Sequence, residues 1–195
     1  MKSLLLLLLE PLAAILARLL PPLQRLWHHA GLRAGIANLA PGTVVMGRVE
    51  LHGNGRIEIG DQCLIYPGLY LETQDEGRIV LGDGCVLSRG VHISSRAAIT
   101  LGAGCMVGEY ASLRDANHRY GDGQTVRDSG FSSAAITLGR NVWVGRGAVI
   151  LPGVSVGDNT VVAANAVVNR SLPANVLAGG VPARVLRELA GAGHD

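Results

Sequence analysis

The sequence predicts an all-β solenoid: a parallel β-helix of about six coils, broken by one long loop insertion and preceded by short N-terminal helices. Three observations predict it. One motif returns six times along the chain, an aliphatic residue recurs at every sixth position within each return, and the composition suits a thin, repetitive interior. Of the 195 residues 48% are hydrophobic but only 4% are aromatic, and there are 27 glycines, so aliphatic side chains and cysteine must fill the core.

The first element is apolar. Leu4 to Leu9 run without a break, Glu10 and Pro11 follow, then LAAILARLL and a second interruption at Pro21-Pro22. This reads as two short helices, Leu4 to Leu20 and Leu23 to about Leu32. Neither piece reaches the roughly 20 apolar residues that a bilayer span needs. Glu10 and Arg18 interrupt the place where a signal peptide would carry its clean apolar region and small-residue cleavage site. Arg18, Arg25, Arg33 and Trp27 suit a lipid-headgroup boundary, so residues 1–33 are expected to make peripheral membrane contact at the cytoplasmic face. The plainer alternative is a helix packed on the body or closing an oligomer.

The repeat occupies 36–173. LAPGTVV from Leu39, IGDQCLI from Ile59, LGDGCVL from Leu81, LGAGCMV from Leu101, LGRNVWV from Leu138 and VGDNTVV from Val156 align as one motif. Within each block the aliphatic residue repeats by six, as in Leu39, Val45, Leu51 or Leu101, Val107, Leu113. A strand, a turn and a return to the same side after three hexads describe one triangular coil. Block starts lie 20, 22, 20, 37 and 18 residues apart, so the extra residues fall between Leu113 and Leu138, as an insertion at 115–135. Residues 174–195 are left as a C-terminal tail.

Charge and cysteine usage remove several classes. A dispersed net charge of +2 gives no basic face for duplex nucleic acid. Cys63, Cys85 and Cys105 show no CxxC spacing, and the repeat stacks them in one inward column continued by Val142 and Thr160. They read as core residues in a reducing, cytoplasmic compartment.

The stretch Asp115-Ala116-Asn117-His118-Arg119-Tyr120, followed by NVWVG, ILPGVSVGDNTVVAANAVV and LPANVLAGGVPARVL, resembles the hexapeptide-repeat transferases. The likeness is to their galactoside, maltose, streptogramin and exopolysaccharide O-acetyltransferases, over residues 39–187. That resemblance implies a left-handed coil, acetyl-CoA as co-substrate, a sugar acceptor, and a homotrimer with active sites between neighbouring prisms, while the membrane-seeking N-terminus suits a lipid-linked glycan as the acceptor. The resemblance implies no metal.

The same resemblance assigns site residues. His118, at the corner where the insertion leaves the prism, is the expected general base, since an imidazole near its ordinary pKa can take a hydroxyl proton at neutral pH. Asp115, Asn117 or a main-chain carbonyl would orient it. Trp143 holds the repeat position occupied elsewhere by Leu64, Val86 and Met106, and is expected to wall the acetyl-CoA channel. Gly145, Arg146, Ala163 and Ala164 would line that channel, and Arg170, Arg184 and Arg187 would meet the nucleotide phosphates. Ser88 stands where the family has a sugar-binding asparagine, which puts a galactoside acceptor in doubt. His92 and Tyr120 are further acceptor candidates. A γ-carbonic-anhydrase type of zinc site would need three histidines, and His92 and His118 stand alone in the repeat. A non-catalytic scaffold in glycan synthesis, or an acetyltransferase for a xenobiotic or serine, is the other alternative.

Overall fold

The computed structural model describes residues 2–121 and 123–189, without the side chains of residues 2–5 and 8. Three parallel sheets wrap a triangular prism. The aliphatic residue that opens each block pairs with its counterpart one coil away: Leu39 with Ile59, Ile59 with Leu81, Leu81 with Leu101, Leu101 with Leu138 and Leu138 with Val156. This first face carries the registers anticipated from the repeat. The second face runs through Val45, Ile65, Leu87, Val107, Val144 and Val162. The third runs through Leu51, Leu71, Ile93, Leu113, Ile150 and Val168. These positions point inward and all but Leu51 are buried, so the core is one continuous column. Strand spacing and backbone pairing make each coil the template for the next.

The cysteine column has a polar function within the core. The thiols of Cys63, Cys85 and Cys105 donate to the carbonyls of Gly82, Gly102 and Gly139 at 3.2, 3.3 and 3.1 Å, each one coil along. The hydroxyls of Thr43 and Thr160 do the same to Gly60 and Pro173 at 2.8 and 2.7 Å. A small residue with a donor therefore stitches successive turns from inside.

Two expectations are corrected. The N-terminal segment is one helix, Lys2–Gly35, and not two. Pro11, Pro21 and Pro22 lie within about 100° of arc on one side of it, taking 3.6 residues per turn. The carbonyls they deprive of partners belong to Leu7, Ala17 and Arg18, which are exposed, so water can accept the loss. The coil count also rises. After six full coils Leu172 bridges to Val156 and Val176–Gly180 extends the second face as part of a seventh coil; Ala183–Glu188 then turns back antiparallel. Part of the expected tail is thus sheet, while residues 190–195 lie outside the described residues. The insertion at 115–135 carries an antiparallel arm, Ala116–His118 paired with Phe131–Ser133.

Candidate functional site

The arm leaves the corner between the third and first faces after the fourth coil. Asp115 anchors it. Its buried carboxylate accepts from Ser95 Oγ at 2.8 Å, the Arg96 amide at 2.7 Å and the Ala97 amide at 2.9 Å, and its carbonyl accepts from the Ala134 amide at 2.8 Å. Both carboxylate oxygens are committed to the neighbouring corner, so the expectation that Asp115 orients His118 is corrected: it holds the arm's root. Asn117 is exposed, and strand alternation sends it to the opposite side of the ribbon from His118, so it does not orient that ring either.

His118 is exposed and pairs across the arm with Phe131, the chain's one phenylalanine, with ring centroids 4.1 Å apart. The Arg96 guanidinium carbon lies 3.5 Å over the same Phe131 ring, and Arg96 is itself bound by Asp75 and Gln74. An aromatic seat clamped by a cation therefore supports one side of the exposed His118 ring. Neither Arg96 nor Phe131 was singled out from sequence. That Phe131 is the single phenylalanine of the chain was the available signal. Tyr120, just past the arm strand, is 81% exposed.

A groove of about 510 Å³ opens at a different corner, between the second and third faces. It gathers Ser88, Trp143, Gly145, Arg146, Ala163 and Ala164. Trp143 pairs with Met106 and Val161 in the outward row and keeps 53% of its surface exposed, as a wall would. Gly145 lets adjacent coils approach: a Cβ there would meet the Ala164 amide nitrogen at 2.6 Å. Arg146 lies with its guanidinium carbon 5.7 Å from the Tyr110 ring. Leu177 of the seventh coil closes the far end, and Arg187 sits directly opposite it on the returning strand. Opposed residues of an antiparallel pair project to one side, so Arg187 extends this groove. Arg170 and Arg184 line a separate pocket of about 160 Å³. Ser88, expected beside the acceptor, belongs to the groove, whereas His92 and Tyr120 do not line it.

His92 sits on the outer third face, stacked on Tyr70 at 4.2 Å, with His52 on Tyr70's other neighbour position at 4.8 Å. Burial, then the nearby Arg114, holds the His92 pKa below its ordinary value. Its Nδ1 is shielded and has no hydrogen-bond partner. Beside it, Glu72 accepts from Ser94 Oγ at 2.8 Å and from Gln74. Burial pushes the Glu72 carboxyl up, but those bonds and Arg114 outweigh it and hold it low. Among the described residues no three His, Cys, Asp or Glu side chains come together as a metal site.

Within one chain, then, the base candidate and the groove stand at different corners. A parallel β-solenoid with an outer cleft walled by a lone tryptophan, and an imidazole carried on a projecting arm, defines the class. Comparison identifies it further. The family model described as bacterial transferase hexapeptide (six repeats) matches residues 135–170, in the fifth and sixth coils. Galactoside O-acetyltransferase of Escherichia coli K12 is 53% identical over 57 residues, 29% of this chain and 28% of that one. A lipopolysaccharide biosynthesis O-acetyl transferase, WbbJ, of the same organism is 29% identical over 146 residues, 71% of this chain and 74% of its own. A hexapeptide-repeat-containing acetyltransferase of Vibrio cholerae, solved with acetyl coenzyme A, is 27% identical with a TM-score of 0.55, covering 83% of this chain and 76% of that one. Over its fifth and sixth coils the chain thus matches the hexapeptide-repeat transferase model, and over longer stretches it is similar to acetyltransferases.

Proposed function

We propose that this protein is an acetyl-CoA-dependent O-acetyltransferase acting on a hydroxyl of a sugar or glycan precursor. The observation that carries the reading is the groove, which collects Trp143, Gly145, Arg146, Ala163 and Ala164 along two successive coils, with Arg187 paired opposite its Leu177. An extended thiol carrier with a polyanionic head suits such a cleft: apolar wall and close-approaching backbone for the arm, guanidinium groups for phosphates.

His118 supplies the base. Its free imidazole nitrogen takes the acceptor's O–H proton as the oxygen attacks the thioester carbonyl. The tetrahedral oxyanion then collapses, the C–S bond breaks, and the imidazolium returns the proton to the departing thiolate. Because the arm and the groove occupy different corners of one prism, this chemistry requires two chains. A homotrimer in which the arm of one prism overhangs the groove of the next meets that requirement. The N-terminal helix adds peripheral contact with the cytoplasmic face of a membrane, which favours a membrane-held glycan over a soluble acceptor.

Thiol release from acetyl-CoA, measured across sugars and lipid-linked glycans, tests the activity. His118→Ala is expected to lower turnover at least a hundredfold while CoA still raises the melting temperature. Full activity in that variant, or no CoA binding by the native protein, overturns the proposal.

A further inference from the structure

Only the C-terminal third of the helix packs on the prism, through buried Leu32 and a 3.0 Å hydrogen bond between His29 Nδ1 and the Thr43 carbonyl. From Leu9 to Trp27 the helix carries an exposed apolar face. Leu9, Leu12, Leu16, Leu19, Leu23 and Leu26 alternate by three and four, and Ile15, Leu20 and Trp27 flank them. All nine keep 41–78% of their surface exposed. At 3.6 residues per turn they fill an arc of about 140°. Glu10, Arg18 and Arg25, spaced by eight and seven, occupy the complementary arc, and Arg33 stands at the edge of the apolar one. Among the described side chains of the helix only Leu6 and Leu7 are large, apolar and exposed outside that face.

We infer that this face lies in the surface of an anionic bilayer. Charge complementarity selects the occupant: the polar arc holds two arginines against one glutamate, with Arg33 at its border, which attracts lipid phosphates and repels a second copy of itself. A coiled-coil partner would call for charged residues flanking the leucine seam, but those positions hold Ile15, Leu20, Trp27 and Pro22. The apolar arc is wider than a two-helix seam, with tryptophan at its edge, as an interfacial helix requires. Among the described residues no helix is long and apolar enough to cross a membrane, which fits a segment lying in the surface.

The attachment also bears on the acceptor, a step that rests on the transfer reaction proposed above. The helix meets the first coil, whereas the arm bearing His118 leaves after the fourth. Three coil steps amount to roughly 14 Å along the prism axis at about 4.8 Å per strand spacing. With the prism axis along the bilayer normal, a hydroxyl at that height belongs to a glycan displayed by a membrane lipid, not to the lipid's own headgroup.

Flotation of the full chain with vesicles tests the anchor. Vesicles of phosphatidylcholine with about a quarter phosphatidylglycerol are expected to carry the protein, pure phosphatidylcholine at least tenfold less of it, and high salt should narrow the gap. Leu16→Gln/Leu23→Gln should lose binding at least tenfold, while Ala14→Gln on the polar arc should keep it, both with unchanged melting temperature and CoA binding. Equal loss in both variants, no preference for anionic vesicles, or helix-dependent self-association without flotation overturns the inference. Thiol release with a soluble sugar acceptor reads the transfer reaction independently, so failure of the anchor and failure of the chemistry are distinguishable.

Discussion

Replacing Asp115 by asparagine isolates what fixes the arm. The carboxylate takes three hydrogen bonds in the core of a corner, at 2.7, 2.8 and 2.9 Å, and two of the donors are main-chain amides that nothing else satisfies there. The amide is the same size but has one acceptor oxygen. With that oxygen turned toward Ser95 and Ala97, its NH₂ group faces the Arg96 amide, donor against donor. One charge-assisted bond is lost, about 1.5–3 kcal/mol, and one buried N–H is left unmet, about 1–3 kcal/mol. Relief of the desolvation of a buried charge offsets part of this. The net expectation is a loss of about 3 kcal/mol, a large share of the ~5–15 kcal/mol that holds a domain together. Urea unfolding measures the total, and hydrogen exchange at Arg96, Ala97 and Ala134 shows where it falls. Because the groove lies at another corner, CoA affinity should stay within about threefold of native, while acetyl transfer drops as His118 loses its support. An Asp115→Asn protein within about 0.5 kcal/mol of native, with those amides still protected, would refute the assignment of Asp115 as the anchor.

Two further outcomes follow from the same geometry. Gly145→Ala forces a Cβ to 2.6 Å from the Ala164 nitrogen and 2.8 Å from the Val162 carbonyl oxygen, so the fifth and sixth coils must part. Unfolding should show a cost of about 1–3 kcal/mol and CoA should bind more weakly, whereas Gly31→Ala, with no atom within 4 Å of its Cβ, should cost nothing. For His92, burial and then Arg114 lower the folded-state pKa beneath the ordinary 6.5, so the unfolded chain binds more protons across the interval between the two values. Its contribution is therefore whole above pH 6.5 and lost as the pH falls through that interval. His92→Phe keeps the stack on Tyr70 and should flatten the decline in urea midpoint between pH 7.5 and 5.5; an unchanged slope would remove His92 as its source.

The registers of the prism were legible because its core is written in the residues that pair. Each block-opening aliphatic residue, from Leu39 to Val156, must lie over its counterpart or the interior opens, so a period of six in sequence is a contact in space. Trp143 was legible for the converse reason: a large ring in a row of Leu64, Val86 and Met106 has no room inside and must wall something outside. The helix was misread where local chemistry is context-dependent. Proline costs a helix one hydrogen bond and a clash with the carbonyl four residues back, and at Ala17 and Arg18, which are exposed, water can donate to the orphaned carbonyls.

Asp115 shows the harder limit. In sequence it stands three residues from His118 and invites pairing with it, yet its oxygens answer to Ser95, Arg96 and Ala97, a coil earlier and twenty residues away. Chain proximity cannot rank those partners, because the insertion turns the backbone between Asp115 and His118 out of the prism. The same turn carries His118 away from the Trp143 groove, so a single chain holds the base and the cleft apart. In the proposed reaction a neighbouring surface joins them, and the residues of such a surface carry no periodic signature. Each half of that proposed site departs from the repeat and so can be found in the sequence, but the distance between the halves would be a property of the assembly.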